Sequence, residues 1–226
     1  MRHGYDKCKD DWKSVLVRHL GQEYTLLEAK GLLEIRLSLF VRNELVDKVS
    51  HVKHFKQATG VAGVMGNKGG VTIGLTYQHT HLSFTSAHLA AHQSYSQARN
   101  DHVRSIMTSS IAKRHASHMV DPDLYHYAHH TFFMGDLNYR INYGEQAKSM
   151  AKKPTSTDFE AMVKLIESGD EGCKELFQHD QLMSEKAAGN VFRDFQEGKP
   201  YVFQPTFKVE RNTKEIKCEH PLFPTT

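Results

Sequence analysis

Gly66-Asn67-Lys68-Gly69-Gly70-Val71-Thr72-Ile73-Gly74-Leu75-Thr76-Tyr77-Gln78-His79-Thr80-His81-Leu82-Ser83-Phe84-Thr85-Ser86-Ala87-His88 is the stretch on which the fold turns. A glycine-rich turn leads into an apolar run, Val71 to Tyr77, and a second run, Leu82 to Ala87, follows it. The short polar stretch Gln78 to His81 suits a hairpin connection, so the spacing predicts two joined strands. Upstream, Leu33, Ile35, Leu37, Leu39 and Val41 alternate with Glu34, Arg36, Ser38 and Phe40. That period of two predicts another strand with one apolar face.

Helical spacing takes over on either side. Trp12, Val15, Leu16, His19 and Leu20 predict an amphipathic helix over 11–20, and Ser94 to Arg114 places Val103, Ile106, Met107 and Ile111 on one helical face. Thr131 to Met134 reads as a short buried strand running into Gly135. Thr157 to Ser168 reads as a helix stopped by Gly169, and Glu171 to Glu185 as helical pieces. Tyr201 to Val209 reads as an edge or bent strand, because Pro205 interrupts it. Strands and helices intermix throughout, so the class is α/β (α+β), in one domain over 1–226.

Composition excludes several functions. With 226 residues the chain can bury a sizeable core. Its 29 basic and 26 acidic residues leave a net charge of +3, too little to imply a nucleic-acid partner. Cys8, Cys173 and Cys218 are widely spaced and odd in number, so they read as reduced intracellular thiols and place the protein in the cytoplasm. No apolar run approaches the ~18 residues of a membrane span, and the charged N-terminus is no secretory signal. His126, His129 and His130 have a spacing that suits a metal, but no cysteine pair accompanies them and they read as a solvated loop.

Three segments carry chemistry, each where an expected strand meets a loop. In Gly63 to Gly70, glycines let backbone amides approach an anion and Lys68 adds positive charge. It is not a Walker A loop, since Asn67 precedes the lysine and no Ser or Thr follows. Taken alone, a tight turn is the commoner meaning. In Ser86 to His92, His88 at a strand end can bond a phosphate oxygen or move a proton, although such a histidine is more often structural. In Phe133-Met134-Gly135-Asp136-Leu137-Asn138-Tyr139-Arg140, an extended backbone would put Asp136 and Asn138 on one face. That pair can orient a water and hold a phosphoryl oxygen, with Arg140 adding charge-assisted bonds. A turn closing a strand is the alternative.

Together and in this order, these segments resemble the inositol polyphosphate 5-phosphatases of the endonuclease/exonuclease/phosphatase superfamily. The matching pieces are Thr59-Gly60-Val61 with Gly66 to Val71, Ser86 to His92, Arg99-Asn100, Gly135 to Ile141, His179 to Leu182, and Pro205-Thr206-Phe207-Lys208. The resemblance implies a DNase-I-like four-layer sandwich, two packed mixed sheets flanked by helices, with the active site at one end. It implies Mg2+-assisted removal of the 5-phosphate from a phosphoinositide lipid or a soluble inositol polyphosphate, by a monomer with peripheral membrane contact. On this resemblance Asp136 orients or activates the attacking water, Asn138 holds a phosphoryl oxygen and His88 contacts the scissile phosphate. Lys208 contacts the neighbouring 4-phosphate, and Asn67, Lys68, Arg140 and Lys217 join the substrate side.

The chain also departs from that pattern. The family's metal-binding Glu lies upstream of the helix containing Trp12; Gln22-Glu23-Tyr24 sits too close to the strand near Leu32 to replace it, and Glu23 reads as exposed. The metal ligands are therefore unknown. After Lys217-Cys218-Glu219-His220-Pro221 the family's Cys-Asp-Arg and later Asp-His do not follow. The chain thus reads as part of such a domain, with three explanations open: an incomplete sequence, a remnant that binds inositol phosphates without cleaving them, or missing pieces from another chain. A nuclease of the same superfamily is disfavoured by the near-neutral charge and the Pro-Thr-Phe-Lys segment.

Overall fold

The hairpin read from Val71 to Ala87 forms the middle of a four-stranded sheet. The computed structural model describes residues 2–60, 66–112, 128–144, 154–198 and 204–206. They fall into two compact units, Met1–Leu89 with His102–Leu137, and Ala90–Asp101 with Asn138–Thr226.

The first unit holds α1 (Arg2–Leu20), β1 (Tyr24–Leu32), β2 (Ile35–Arg42), a 3-10 helix (Asn43–Lys48), β3 (Val49–Ala58), β4 (Gly69–Tyr77), β5 (Thr80–His88), most of α2 (Ser96–Ala112) and β6 (His130–Asp136). The strands form two sheets. β1 and β2 pair antiparallel, and the larger sheet has the order β3-β4-β5-β6. Its first three strands are antiparallel, while β6 runs parallel to β5. Two packed sheets were expected; of these, the larger is mixed and the smaller purely antiparallel. The alternation read on β2 is what joins them. Ile35 and Leu37 meet Val71 and Ile73 of β4 in a buried cluster, flanked by Leu32, Leu39, Val52 and Phe84. Each such side chain contributes about 1.5–3 kcal/mol when buried. On the other face of the hairpin, Thr72 and Thr85 are buried and bond each other, Oγ1 to Oγ1, at 2.9 Å.

Three expectations need correction. β1 and β3 were not expected; β3 stands at one end of the described sheet, and its apolar residues do not alternate. β6 is a strand but is not buried: among the described residues it pairs on one side only, and Phe132 and Met134 are 49% and 45% exposed. The helix over 11–20 is present within α1, yet Trp12 and Val15 on its apolar stripe are exposed.

The second unit holds the first turns of α2, then α3 (Ser156–Glu167), α4 (Asp170–Gln178) and α5 (Gln181–Ala187). Local chemistry sets these ends. Thr155 and Asp158 form a capping box at α3, and Gly169 follows its C-terminus with φ +84°. Asp180 caps α5 by accepting from the amides of Leu182 and Met183. Of the strand expected over 201–209, residues 204–206 have no strand structure and the rest lie outside the described residues.

Candidate active site

Register places the first cluster. His88, the last residue of β5, stands opposite Gly69 on β4 and opposite Asp136 at the end of β6. Lys68 immediately precedes Gly69, so three neighbouring strands, about 4.8 Å apart, deliver a lysine, a histidine and an aspartate to one edge of the sheet. Two glycines make the row possible. Gly69 and Gly135 have φ of +147° and +124°, and a side chain on either would run into the carbonyl of Gln57 or of Ala87. Past Gly135 the chain stays against β5, with Leu89 N–H donating to the Asp136 carbonyl at 3.0 Å.

The side chains then converge on one atom. Lys68 Nζ lies 2.5 Å from His88 Nε2, and Asp136 Oδ2 lies 3.2 Å from the same nitrogen. An ammonium has only donors, so Nε2 accepts toward Lys68, whereas toward the Asp136 carboxylate it would have to donate; the tautomer sets which contact is a hydrogen bond. Burial pushes the His88 pKa below its ordinary value and the Lys68 charge adds to this, against the opposing pull of Asp136 and Glu34. The Asp136 carboxylate is 63% exposed, whereas His88 is 27% exposed. The arrangement therefore presents a solvated carboxylate beside a neutral imidazole and a cation. It can orient a water, take up a proton and neutralise an anion.

The second cluster lies in the other unit. The expectation that Asp136 and Asn138 share a face required extended backbone, and the structure departs from it. β6 ends at Asp136 and Asn138 adopts φ +58°, a left-handed turn that asparagine tolerates. The turn brings Asn138 and Arg140 together instead: Arg140 Nη2 donates to Asn138 Oδ1 and Nε to its carbonyl, each at 3.2 Å.

Behind that turn lies a buried polar network. Arg99 is fully buried and donates to the carbonyls of Ala90, His92 and Gln93, with its guanidinium carbon 5.2 Å from the Tyr139 ring centroid. Tyr139 donates to Asn100 Oδ1 at 2.6 Å, and Asn100 donates to Glu185 at 2.8 Å. Burial pushes the Tyr139 phenol well up. Burial also works against the Glu185 charge, but bonds from Ser96, Asn190 and Asn100, with Arg99 nearby, hold this carboxylate below its ordinary value. Arg99-Asn100 was legible as a motif without a role. Glu185 was missed, and no local pattern could reveal it, because its partners Ser96 and Asn100 are 89 and 85 residues away.

The remaining expectations are quickly placed. Asn67 is exposed on the turn before β4, and Glu23 is exposed as expected. Lys208 and Lys217 lie outside the described residues, as do His126 and residues 61–65. His129 stacks on His81 and accepts from its amide. Cys173 is a buried free thiol. Among the described residues no three His, Cys, Asp or Glu side chains converge to hold a metal, and no helix is long and apolar enough to cross a membrane.

Comparison with known proteins shows the family and the fold. The pattern of Endonuclease/Exonuclease/phosphatase family 2 matches residues 3–225. The type II inositol 1,4,5-trisphosphate 5-phosphatase of Mus musculus is 32% identical over 211 residues, 90% of this chain and 19% of that protein. The type I inositol polyphosphate 5-phosphatase 5 of Arabidopsis thaliana is 29% identical over 84% of this chain and 34% of its own length. The chain thus spans a minor part of the curated relatives it matches. Among solved structures, the inositol polyphosphate 5-phosphatase domain of SPsynaptojanin, in complex with inositol (1,4)-bisphosphate and calcium ion, superimposes with a TM-score of 0.73 at 26% identity. The match covers 92% of this chain and 56% of that one. A Cimex nitrophorin, at 18% identity and a TM-score of 0.61, shares the fold.

Proposed function

Because this chain belongs to Endonuclease/Exonuclease/phosphatase family 2, we propose that it removes the 5-phosphate from a phosphoinositide lipid or a soluble inositol polyphosphate. The observation that carries this reading is the row of Lys68, His88 and Asp136 at the strand ends. The named activities of its relatives support it. Asp136 orients the attacking water and accepts its proton. His88 contacts the scissile phosphate through the ring, and Lys68 neutralises charge on the phosphoryl oxygens. Water adds to phosphorus as the bond to the inositol oxygen breaks; that oxygen leaves with a proton from solvent water, and Asp136 returns the proton it took to solvent. Asn138 holds a phosphoryl oxygen, with Arg140 beside it. Lys208 takes the 4-phosphate, and Asn67 and Lys217 lie on the substrate side.

The cation we propose is Mg2+. It is commonly held by one or two carboxylates together with water and substrate phosphates rather than by an all-protein cage. The solvated carboxylate of Asp136 is a hard oxygen donor of that kind. When bound, the ion supplies Lewis-acid neutralisation of the phosphoryl group. The proposal places the protein in the cytoplasm as a monomer in one catalytic domain, with peripheral membrane contact and no nucleic-acid partner.

The test is Mg2+-dependent phosphate release by the 226-residue chain from a 4,5-bisphosphate inositol lipid, with a 4-phosphate lipid as comparison. Release from the first but not the second is expected, falling about 10²–10⁴-fold in Asp136→Ala. Saturable headgroup binding without turnover would replace this reading with a non-catalytic inositol-phosphate binder. Cutting of plasmid DNA would replace it with a nuclease.

A further inference from the structure

The turn that carries Asn138 and Arg140 is fastened by one residue of α5. Gln181 is 2% exposed and grips the peptide of Arg140 from both sides. Its amide N–H donates to the Arg140 carbonyl at 2.9 Å, and its side-chain Oε1 accepts from the Arg140 N–H at 3.0 Å. The same Oε1 accepts from Arg99 Nη2 at 2.5 Å. Its Nε2 donates to the Gln93 carbonyl at 3.1 Å and to Asn142 Oδ1 at 3.0 Å. Asn142 N–H in turn donates to the His179 carbonyl at 2.8 Å, completing a bridge between Ile141 and Asp180. Both Asp180 carboxylate contacts cap α5, so Gln181 is held at the first position of that helix.

A glutamine amide has one acceptor oxygen and two donor hydrogens. Here both kinds are spent on the turn and on its supports. We infer that Gln181 is a positioning residue for the phosphate-contacting turn, setting where Asn138 and Arg140 stand during the reaction. This rests on the phosphatase reading above. Gln181 touches no reacting atom. Its side chain supplies the acceptor for the Arg140 amide, on a turn that follows a left-handed residue two positions earlier and that the bridge between Ile141 and Asp180 ties on its far side. Reaction rates respond steeply to such placement, with misplacements near 1 Å costing about 10²-fold.

Two variants of the full chain separate positioning from bulk stability. Gln181→Met keeps the length of the side chain but removes its acceptor. Gln181→Glu keeps the acceptor oxygen, next to the Arg99 guanidinium, and removes the Nε2 donors. The readouts are kcat and KM for phosphate release, normalised to folded protein, and hydrogen exchange of the Arg140 amide. Met is expected to lower kcat roughly 10- to 100-fold with little change in KM, and to expose the Arg140 amide. Glu is expected to restore the protection and part of kcat, since its second oxygen meets the Gln93 carbonyl and Asn142 Oδ1 without a donor. Unchanged kcat and protection in Met overturn the inference, as does loss of both in folded Glu, the variant that decides the matter if Met does not fold. Loss of Arg140 protection with unchanged kcat also overturns it. If the native chain binds but never turns over while the amide behaves as expected, the clamp stands and the phosphatase reading falls.

Discussion

The row at the sheet edge and the network around Arg99 are both polar, and they are built on opposite terms. Lys68, His88 and Asp136 converge on a single nitrogen, and the carboxylate remains largely in solvent. Arg99, Asn100 and Gln181 are withdrawn from solvent and hydrogen-bonded to named partners. A buried polar group costs free energy unless it is satisfied; here every group but Arg99 Nε has a partner, so the network reads as support. A reacting group must have bonding capacity for substrate and water, so the row stays solvated and reads as chemistry.

That contrast can be broken experimentally. The largest effect on folding is expected from Arg99→Met. It strips the donors from three backbone carbonyls and from Gln181, and should lower unfolding free energy by about 3 kcal/mol or more in urea titration. A variant as stable as the native chain would deny the network its supporting role. Glu185→Gln is the milder test, worth about 1–2 kcal/mol near neutral pH. Glu185 is held below its ordinary value of 4.5 in the folded state. Its stabilisation is therefore present above that pH and lost as pH falls through the depressed value. The variant should accordingly show a shallower acid limb in thermal unfolding. The smallest effect, on the row, is expected in metal-free Lys68→Met. Burial and then Lys68 lower the His88 pKa, so removing the ammonium should raise it. In the native chain the stabilisation from neutral His88 is present above its ordinary 6.5 and lost as pH falls below it. Ring-nitrogen resonances followed through pH would show the shift, and an unmoved titration would mean that Lys68 does not govern this imidazole.

Legibility in the sequence followed the same division. β4 and β5 were readable because apolar runs flank a short polar turn, and β2 because its alternation is unbroken. β3 was not. Val49, Val52 and Phe55 fall three apart; a register shift between Ser50 and Lys53, around His51 at φ +53°, resets the pleat between the first two. β1 carries a similar shift between Leu26 and Glu28. In the site, Lys68, His88 and Asp136 could be named from motifs, but their meeting at one nitrogen depends on the register of three strands. Asn138 was expected on the same face as Asp136 and is not there, because nothing local announces its left-handed turn. Glu185 and the grip of Gln181 on Arg140 depend on contacts tens of residues apart, beyond the reach of any period or motif.

The bonded pair Thr72 and Thr85 carries an implication for how such a chain can vary over time. Valine has nearly the shape of threonine, so two valines would fill this space about as well. Thr72→Val alone would cost the Thr85 hydroxyl its bond in a dry interior, at about 1–3 kcal/mol. By that route the harmless destination is reached through a damaged ancestor, so the order in which the two positions change matters.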